Sequence, residues 1–244
     1  ALERFSQSHV AVVGVVGVGS WSVEALARSG VGKITLCALD EICISNVNRQ
    51  LHAADGQIGR QKTEVMAERA KSINPDIQVR IVPRFFSSRS VAEFFKESMD
   101  GVIDAIDTTA HKALLLAETH CREIFTVSCG AAGGRRDPTR IRVTDLAFSG
   151  KDPLLHQVRR SLRRDHGFPN VPQGTKPQAM GIDAVFSDEA PVMIACESNQ
   201  AHEEAPKSSR KLSCESGFGS VTHVTAAFGL TAAGRVLEFL ARSA

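Results

Sequence analysis

A glycine turn, two cations and a spaced set of acids are the residues of this 244-residue chain whose types and intervals could do chemistry. The run "HVAVVGVVGVGSW" (9–21) passes from strand-forming residues to Gly14, Gly17 and Gly19, with Val16 among them. In a phosphate-binding strand-turn-helix unit the first glycine makes the tight turn, the second lets a phosphate approach the backbone, and the last lets helix pack on strand. Gly14 and Gly19 fill the first and last places; Val16 takes the second, with Gly17 beside it. An acid on the next strand end would hold ribose hydroxyls, and Asp40 follows Gly19 by 21 residues. Within "DEICISNVNRQLHAADGQIGRQK" (40–62) stand Arg49 and Lys62, two cations for which an ordinary dehydrogenase has no use.

The elements that must position these groups alternate. Val10–Val13 reads as a buried strand, Trp21–Ser29 as a helix stopped by Gly30 and Gly32, and "KITLCALD" (33–40) as a second strand. "KTEVMAERAKSI" (62–73) is predicted helical up to Asn74-Pro75, and "IQVRIV" follows as a strand. Ser90 stands three residues before Glu93, a capping-box spacing for a short helix over 90–98. "GVIDAI" and "FTVSCG" are strands around a helix at Ala110–Arg122. This order predicts an α/β fold: a Rossmann-like, mostly parallel sheet with helices on both faces, its chemistry at the carboxyl ends of the strands. After Gly130 the rhythm fails. There "IRVTDL" (141–146) reads as a strand, 152–168 as a short helix, 170–178 and 197–211 as loops, the latter mobile, and the stretch from about Val221 as a final helix. The expected organisation is one domain, 1–244, with a nucleotide-binding core over 1–130 and a C-terminal elaboration over 131–244 on the substrate side.

Composition narrows the class. A hydrophobic share of 43% in a chain of this length allows a sizeable core. Net charge is only +2, so a nucleic-acid role needs a local patch. Segment 135–166 supplies one, with nine Lys and Arg (Arg135, Arg136, Arg140, Arg142, Lys151, Arg159, Arg160, Arg163, Arg164) against four Asp. Leu155, Val158 and Leu162 would form an apolar face of its helix, opposite Arg160, Arg163 and Arg164. Six cysteines (37, 43, 121, 129, 196, 214) without a C-x-x-C pair favour a reducing cytoplasm over a disulfide scaffold or structural zinc. The opening residues lack both an initiating methionine and a signal-peptide core, which reads as a fragment or a trimmed product. Val221–Ala241 is apolar but interrupted by His223, Arg235 and Glu238, so a packed helix is expected, not a membrane span.

Taken together, Gly14, Gly17 and Gly19, Asp40, Asn46-Val47-Asn48-Arg49-Gln50, Lys62, and Asp104 with Asp107 in "DAIDTTAHK" (104–112) resemble the signature of the ubiquitin-activating-enzyme superfamily of ThiF/MoeB-type adenylating proteins. That signature runs G-x-G-G-x-G, D-x-D, N-x-N-R-Q, a lysine about a dozen residues on, and a later D-x-x-D. "NVNRQLHA", "KTEVMAER", "VIDAID", "IRVTDL", "VFSDEA" and "CESGFGS" fall in the order of the branch that dehydrates threonylcarbamoyladenosine in tRNA, and cover nearly the whole chain.

The resemblance implies a ligase-type enzyme that spends ATP with Mg²⁺. Gly14, Gly17, Gly19, Asp40, Asn46 and Gln50 would bind the nucleotide, Asp40 through the ribose. Arg49 and Lys62 would hold the phosphates, and Asp107 would carry the metal; these three are the expected catalytic residues. It also implies a homodimer, tRNA bound through 135–166, and, more loosely, work beside a cysteine desulfurase and its sulfur acceptor in the cytoplasm. Cys214 resembles a position where related enzymes place a reactive thiol. Two family positions differ: Val16 replaces a glycine and Ala38 the first acid of D-x-D. The family's N-terminal arm, which lends an arginine to a partner's nucleotide, is missing from the sequence as given.

Other readings of the same residues stay open. Arg49 and Lys62 could instead be solvated charges and Asp107 a helix cap, and Cys214 reads at least as well as inert. A nicotinamide-dependent oxidoreductase would use Gly14, Gly19 and Asp40 and leave Arg49, Lys62 and Asp107 idle. A relative that binds nucleotide without turnover accords with Val16 and Ala38.

Overall fold

The structure is a computed structural model, and it describes residues 1–172, 174–192 and 219–242. The segment 197–211 and Cys214 lie outside the described residues. Seven strands form one sheet in the order β3-β2-β1-β4-β5-β7-β6. They are β1 (His9–Val13), β2 (Lys33–Cys37), β3 (Gln78–Val82), β4 (Gly101–Asp104), β5 (Phe125–Cys129), β6 (Ile141–Asp145) and β7 (Asp183–Ser187). All pairings are parallel except that of β6 with β7. The α/β architecture read from the alternation of elements is therefore the one observed.

Side chains alternate across β1. Val10 and Val12 join Ile34, Leu36 and Ile103 under the helices α2 (Gly17–Arg28), α3 (Lys62–Ile73) and α7 (Thr222–Arg242). Ala11 and Val13 face the other way, with Phe86, Phe94 and Leu115, toward the short α4 (Val91–Phe94) and α5 (Thr109–Cys121). A further cluster joins α5 to α6 (Pro153–Asp165) through Leu116, Leu155, Val158 and Leu162. The face predicted for α6 is therefore the one it buries, and each large side chain so removed from water contributes roughly 1.5–3 kcal/mol.

Helix α7 is long and apolar enough to cross a membrane by length and composition. Its Val224, Phe228, Ala232, Val236 and Leu240 are instead buried in the core against α2 and the sheet, as expected for a packed helix. At Gly229 a Cβ would stand 2.3 Å from the Val18 carbonyl oxygen, and the Ser22 hydroxyl donates to Gly229 O at 2.9 Å. The two helices thus meet backbone to backbone.

Four readings of the sequence change. Helix α2 starts at Gly17, not Trp21, so the glycine turn is the first turn of the helix. The Ser90 hydroxyl does not cap α4; it reaches back to the carbonyls of Phe85 and Ser87, because Ser90 closes the preceding loop. β7 and α1 (Leu2–Gln7) were not foreseen. β7 is a five-residue run buried without alternation, and α1 buries none of its residues, so neither leaves a periodic pattern.

Candidate active site

Sheet order reverses between β1 and β4, and open α/β sheets bind ligands at such a point, beyond the carboxyl ends of the strands. A cavity of about 270 Å³ lies there. Its walls are Val16–Val18 after β1, Ser45, Asn48 and Arg49 after β2, Ala105–Asp107 after β4 and Gly130–Gly133 after β5, closed by Gly219, Ser220 and Thr225 at the start of α7.

The glycines divide their work. Gly14 has φ +91°, and a Cβ there would lie 2.6 Å from Ala105 O. At Gly19 a Cβ would lie 2.1 Å from Gly14 O, so the helix sits directly on the turn. These two are demanded by packing alone. Gly17 lines the cavity, and the nearest atoms to its missing Cβ are side-chain atoms, Thr225 Cγ2 at 3.2 Å, Thr225 Cβ at 3.6 Å and Arg49 Cγ at 3.8 Å.

Val16 is the N-cap of α2, at φ −117° and ψ −139°, outside the left-handed region that favours glycine. Among the described residues no side chain caps α2 and its first turn holds no acid. The leading amides of the helix and the positive end of its dipole therefore open into the cavity, which suits an anion.

Arg49 and Asp107 face this same space. The Arg49 guanidinium donates from Nη1 to Ser45 O at 2.6 Å and to Asn48 Oδ1 at 3.0 Å. Its backbone is tied to α7, where the Thr225 hydroxyl lies 3.0 Å from Arg49 O, Thr222 donates to Asn48 O and the Asn48 amide donates to Ser220 O at 2.7 Å. Asp107 is an exposed carboxylate approached by the Thr108 hydroxyl at 3.3 Å.

Lys62 and Asp40 stand beside the cavity, outside its lining. The Lys62 ammonium is buried and lies 3.6 Å from Asp40 Oδ2, while its own amide donates to Asp40 O. His52 is close enough to feel that charge: burial, aided by Lys62, pushes its imidazole down to about 4. Among the described residues neither nitrogen of His52 has a hydrogen-bond partner, and the same holds for both polar atoms of the buried Gln50 amide. Asn46 is buried and structural in its contacts, its Oδ1 accepting from the Cys43 amide. The structure thus brings Arg49, Asp107 and Gly17 to one cavity, pairs Lys62 with Asp40 outside its lining, and buries Gln50 and Asn46 in the segment that carries Arg49. Asn48, Thr225 and Gly130–Gly133 are lining residues to which the sequence reading gave no role. The N-x-N-R-Q segment named Asn48, but only the fold shows α7 reaching the site.

The basic segment is less uniformly basic than its count. Arg135 is buried with its Nη2 on Lys151 O, and Arg159 turns inward to the Ser149 hydroxyl; desolvation lowers the pKa of both. Arg140 and Arg142 pair with Asp188, and Arg164 with Asp165. Arg136, Arg142, Lys151, Arg160 and Arg164 remain on the surface.

Comparison with known proteins gives the chain its family. The ThiF family matches residues 1–243, and the chain belongs to that family. It is 43% identical to the tRNA threonylcarbamoyladenosine dehydratase of Haemophilus influenzae over 98% of this chain and 88% of the relative. The Escherichia coli enzyme of the same name is also 43% identical over the same shares. The crystal structure of the E. coli enzyme in complex with ATP superposes with a TM-score of 0.84 at 40% identity, covering 100% of this chain and 91% of that one. Its complex with AMP gives 0.84 at 40%, covering 98% and 88%.

Proposed function

We propose that the chain uses ATP to adenylate the threonyl carboxylate of threonylcarbamoyladenosine in tRNA and then closes it to the cyclic form. The observation that carries this reading is one cavity, faced by Arg49, Asp107 and the bare N-terminus of α2, in a chain 43% identical over nearly its full length to dehydratases of that name. In the first step a carboxylate oxygen bonds to the α-phosphorus and the bond to pyrophosphate breaks. In the second, the carbamoyl group of the same modification attacks the acyl carbon, loses its proton and expels AMP, so one water's atoms leave the nucleoside. Because that attack is intramolecular, orientation is already supplied. What the protein must add is positive charge where two anions meet.

In this reading Arg49 and Lys62 hold the phosphates, with the amides of Gly17–Gly19 beside them and Gly14 and Gly19 setting the turn. Asp40 meets the ribose, and Asn46 and Gln50 support that wall. Asp107 suits a magnesium ion: it is an exposed carboxylate on the cavity, and no cluster of three or more ligating side chains occurs among the described residues. That is the donor set of an ion that takes most of its ligands from phosphates and water. When bound, such an ion neutralises charge on the phosphate oxygens.

Residues 1–130 act as the nucleotide core and 131–244 as the substrate side. Exposed cations of 135–166 meet tRNA phosphates, so binding weakens steeply with salt. Exposed Leu39, Ile44, Val47 and Ile58 around the loop after β2 support a homodimer through that region, and the four described cysteines, all free, fit the cytoplasm. A cysteine desulfurase and its sulfur acceptor as partners rest on the resemblance alone.

Incubation with threonylcarbamoylated tRNA, ATP and Mg²⁺ should release AMP and pyrophosphate, and unmodified tRNA should not. Tight ATP binding without turnover would favour instead the nucleotide-binding relative to which Val16, on the cavity wall, points.

A further inference from the structure

The most deeply buried ion pair among the described residues lies directly under the cavity. Lys112 of α5 and Asp104 at the end of β4 are both fully buried, with Nζ 2.9 Å from Asp104 Oδ2. The same ammonium donates to Ile106 O at 3.0 Å and lies 3.4 Å from Asp104 O. Ser128 on β5 donates to Asp104 Oδ2 at 2.8 Å, and the Ile106 amide donates to Oδ1 at 3.1 Å. Two of these contacts, from the ammonium to Ile106 O and from the Ile106 amide to Asp104 Oδ1, fall on the residue that precedes Asp107.

A buried pair of this kind contributes little net stability, since desolvation offsets the attraction, and well-packed apolar residues could replace it. Its geometry does something an apolar pair could not. It grips the backbone of 104–106 from below, through a carbonyl and an amide, while Ala105 N is held from β1 by Val13 O at 2.8 Å. Ala105, Ile106 and Asp107 form the cavity wall opposite Arg49.

We propose that Lys112 and Asp104 are positioning residues for the adenylation step: they clamp the 104–106 turn so that the Asp107 carboxylate is presented at a fixed place. Lys112 touches no reacting group and acts through Asp107. The inference rests on the reading of the cavity as an adenylation site, and its test is separable from that reading. Preorganised placement raises turnover more than ground-state affinity.

The test compares wild type with Lys112→Met, and with Ser128→Ala as a milder variant that keeps the charge pair. Amide hydrogen exchange at Ile106 and Asp107 reads the clamp without any substrate. It should rise at least about tenfold in Lys112→Met and about threefold in Ser128→Ala, while exchange in β1 and β2 stays as in wild type. With threonylcarbamoylated tRNA, kcat for AMP release should fall about a hundredfold in Lys112→Met with KM for ATP changed less than about threefold. The Mg²⁺ concentration for half-maximal rate should rise. A folded Lys112→Met chain with wild-type exchange at 106–107 overturns the clamp, whatever the substrate proves to be. A clamp confirmed by exchange with full turnover retained overturns its part in the reaction. If Lys112→Met does not fold, unchanged exchange and turnover in Ser128→Ala overturn the proposal. Absence of AMP release by wild type overturns the substrate assignment and leaves the exchange result to decide the clamp.

Discussion

On one side of the cavity Gly19 lies so near Gly14 that no atom fits between them, and the Ala105–Asp107 wall is gripped by a buried ion pair. On the other side Ser45–Arg49 hangs from the first turn of α7 by hydroxyl and amide bonds to Asn48 and Arg49. One wall is fixed by steric necessity and low dielectric, the other by single hydrogen bonds, each with a net contribution of about 1 kcal/mol. A site that must admit a nucleotide and a tRNA nucleoside gains from this asymmetry, because the rigid wall sets the geometry and the other can yield.

Breaking the rigid wall should have the largest effect. Gly19→Ala places a methyl against a backbone oxygen that cannot retreat, and should cost about 4 kcal/mol or more of stability by urea unfolding. Gly17→Ala, whose nearest neighbours are side-chain atoms, should cost less than about 1 kcal/mol. Similar losses from the two would erase the distinction between packing glycine and cavity glycine.

The buried segment that carries Arg49 answers to pH. The His52 imidazole is held down to about 4, so above 6.5 it is neutral in both folded and unfolded chains and its full contribution is present. As pH falls from 6.5 toward 4 the unfolded chain takes a proton that the folded chain refuses, and about 3 kcal/mol of stability is lost. His52→Gln should flatten that part of the stability profile; an unchanged slope would show that His52 protonates freely in the fold.

On the yielding wall, Arg49→Ala should lower AMP formation roughly a hundredfold, about 3 kcal/mol of barrier, with little change in melting temperature. Thr225→Val, which removes the hydroxyl beside Arg49 O, should weaken ATP binding by about 1 kcal/mol in calorimetry. The smallest effect is expected at Val16. Its φ lies outside the left-handed region that favours glycine, so Val16→Gly should only tighten ATP by a few-fold, and an unchanged dissociation constant would clear its side chain of any steric role.

The contrast between walls also explains what could be read in advance. Helix α3 was legible to its ends because Lys62 opens an apolar period that Asn74-Pro75 closes. Gly14 and Gly19 were legible as a turn, since few other reasons place glycines so between a strand and a helix. That Gly19 serves packing while Gly17 faces the cavity follows the roles the motif assigns, but the atoms the packing glycines avoid, Ala105 O and Gly14 O, are set by the fold and could not be read. Arg49 and Asp107 were found through motif spacing, but the pairing of Lys62 with Asp40, the role of Thr225 and the inward turn of Arg135 depend on how the chain, α7 and the 130–135 loop among it, folds back. Long-range contacts of that kind leave no periodic trace.

The central claim is that this cavity activates the carboxylate of a tRNA nucleoside for ring closure. Mass spectrometry of nucleosides from threonylcarbamoylated tRNA, after incubation with the wild-type chain, ATP and Mg²⁺, tests it most directly. The account predicts a product lighter than the starting nucleoside by one water, formed in step with AMP. A nucleoside of unchanged mass in the presence of folded, ATP-binding protein would contradict it.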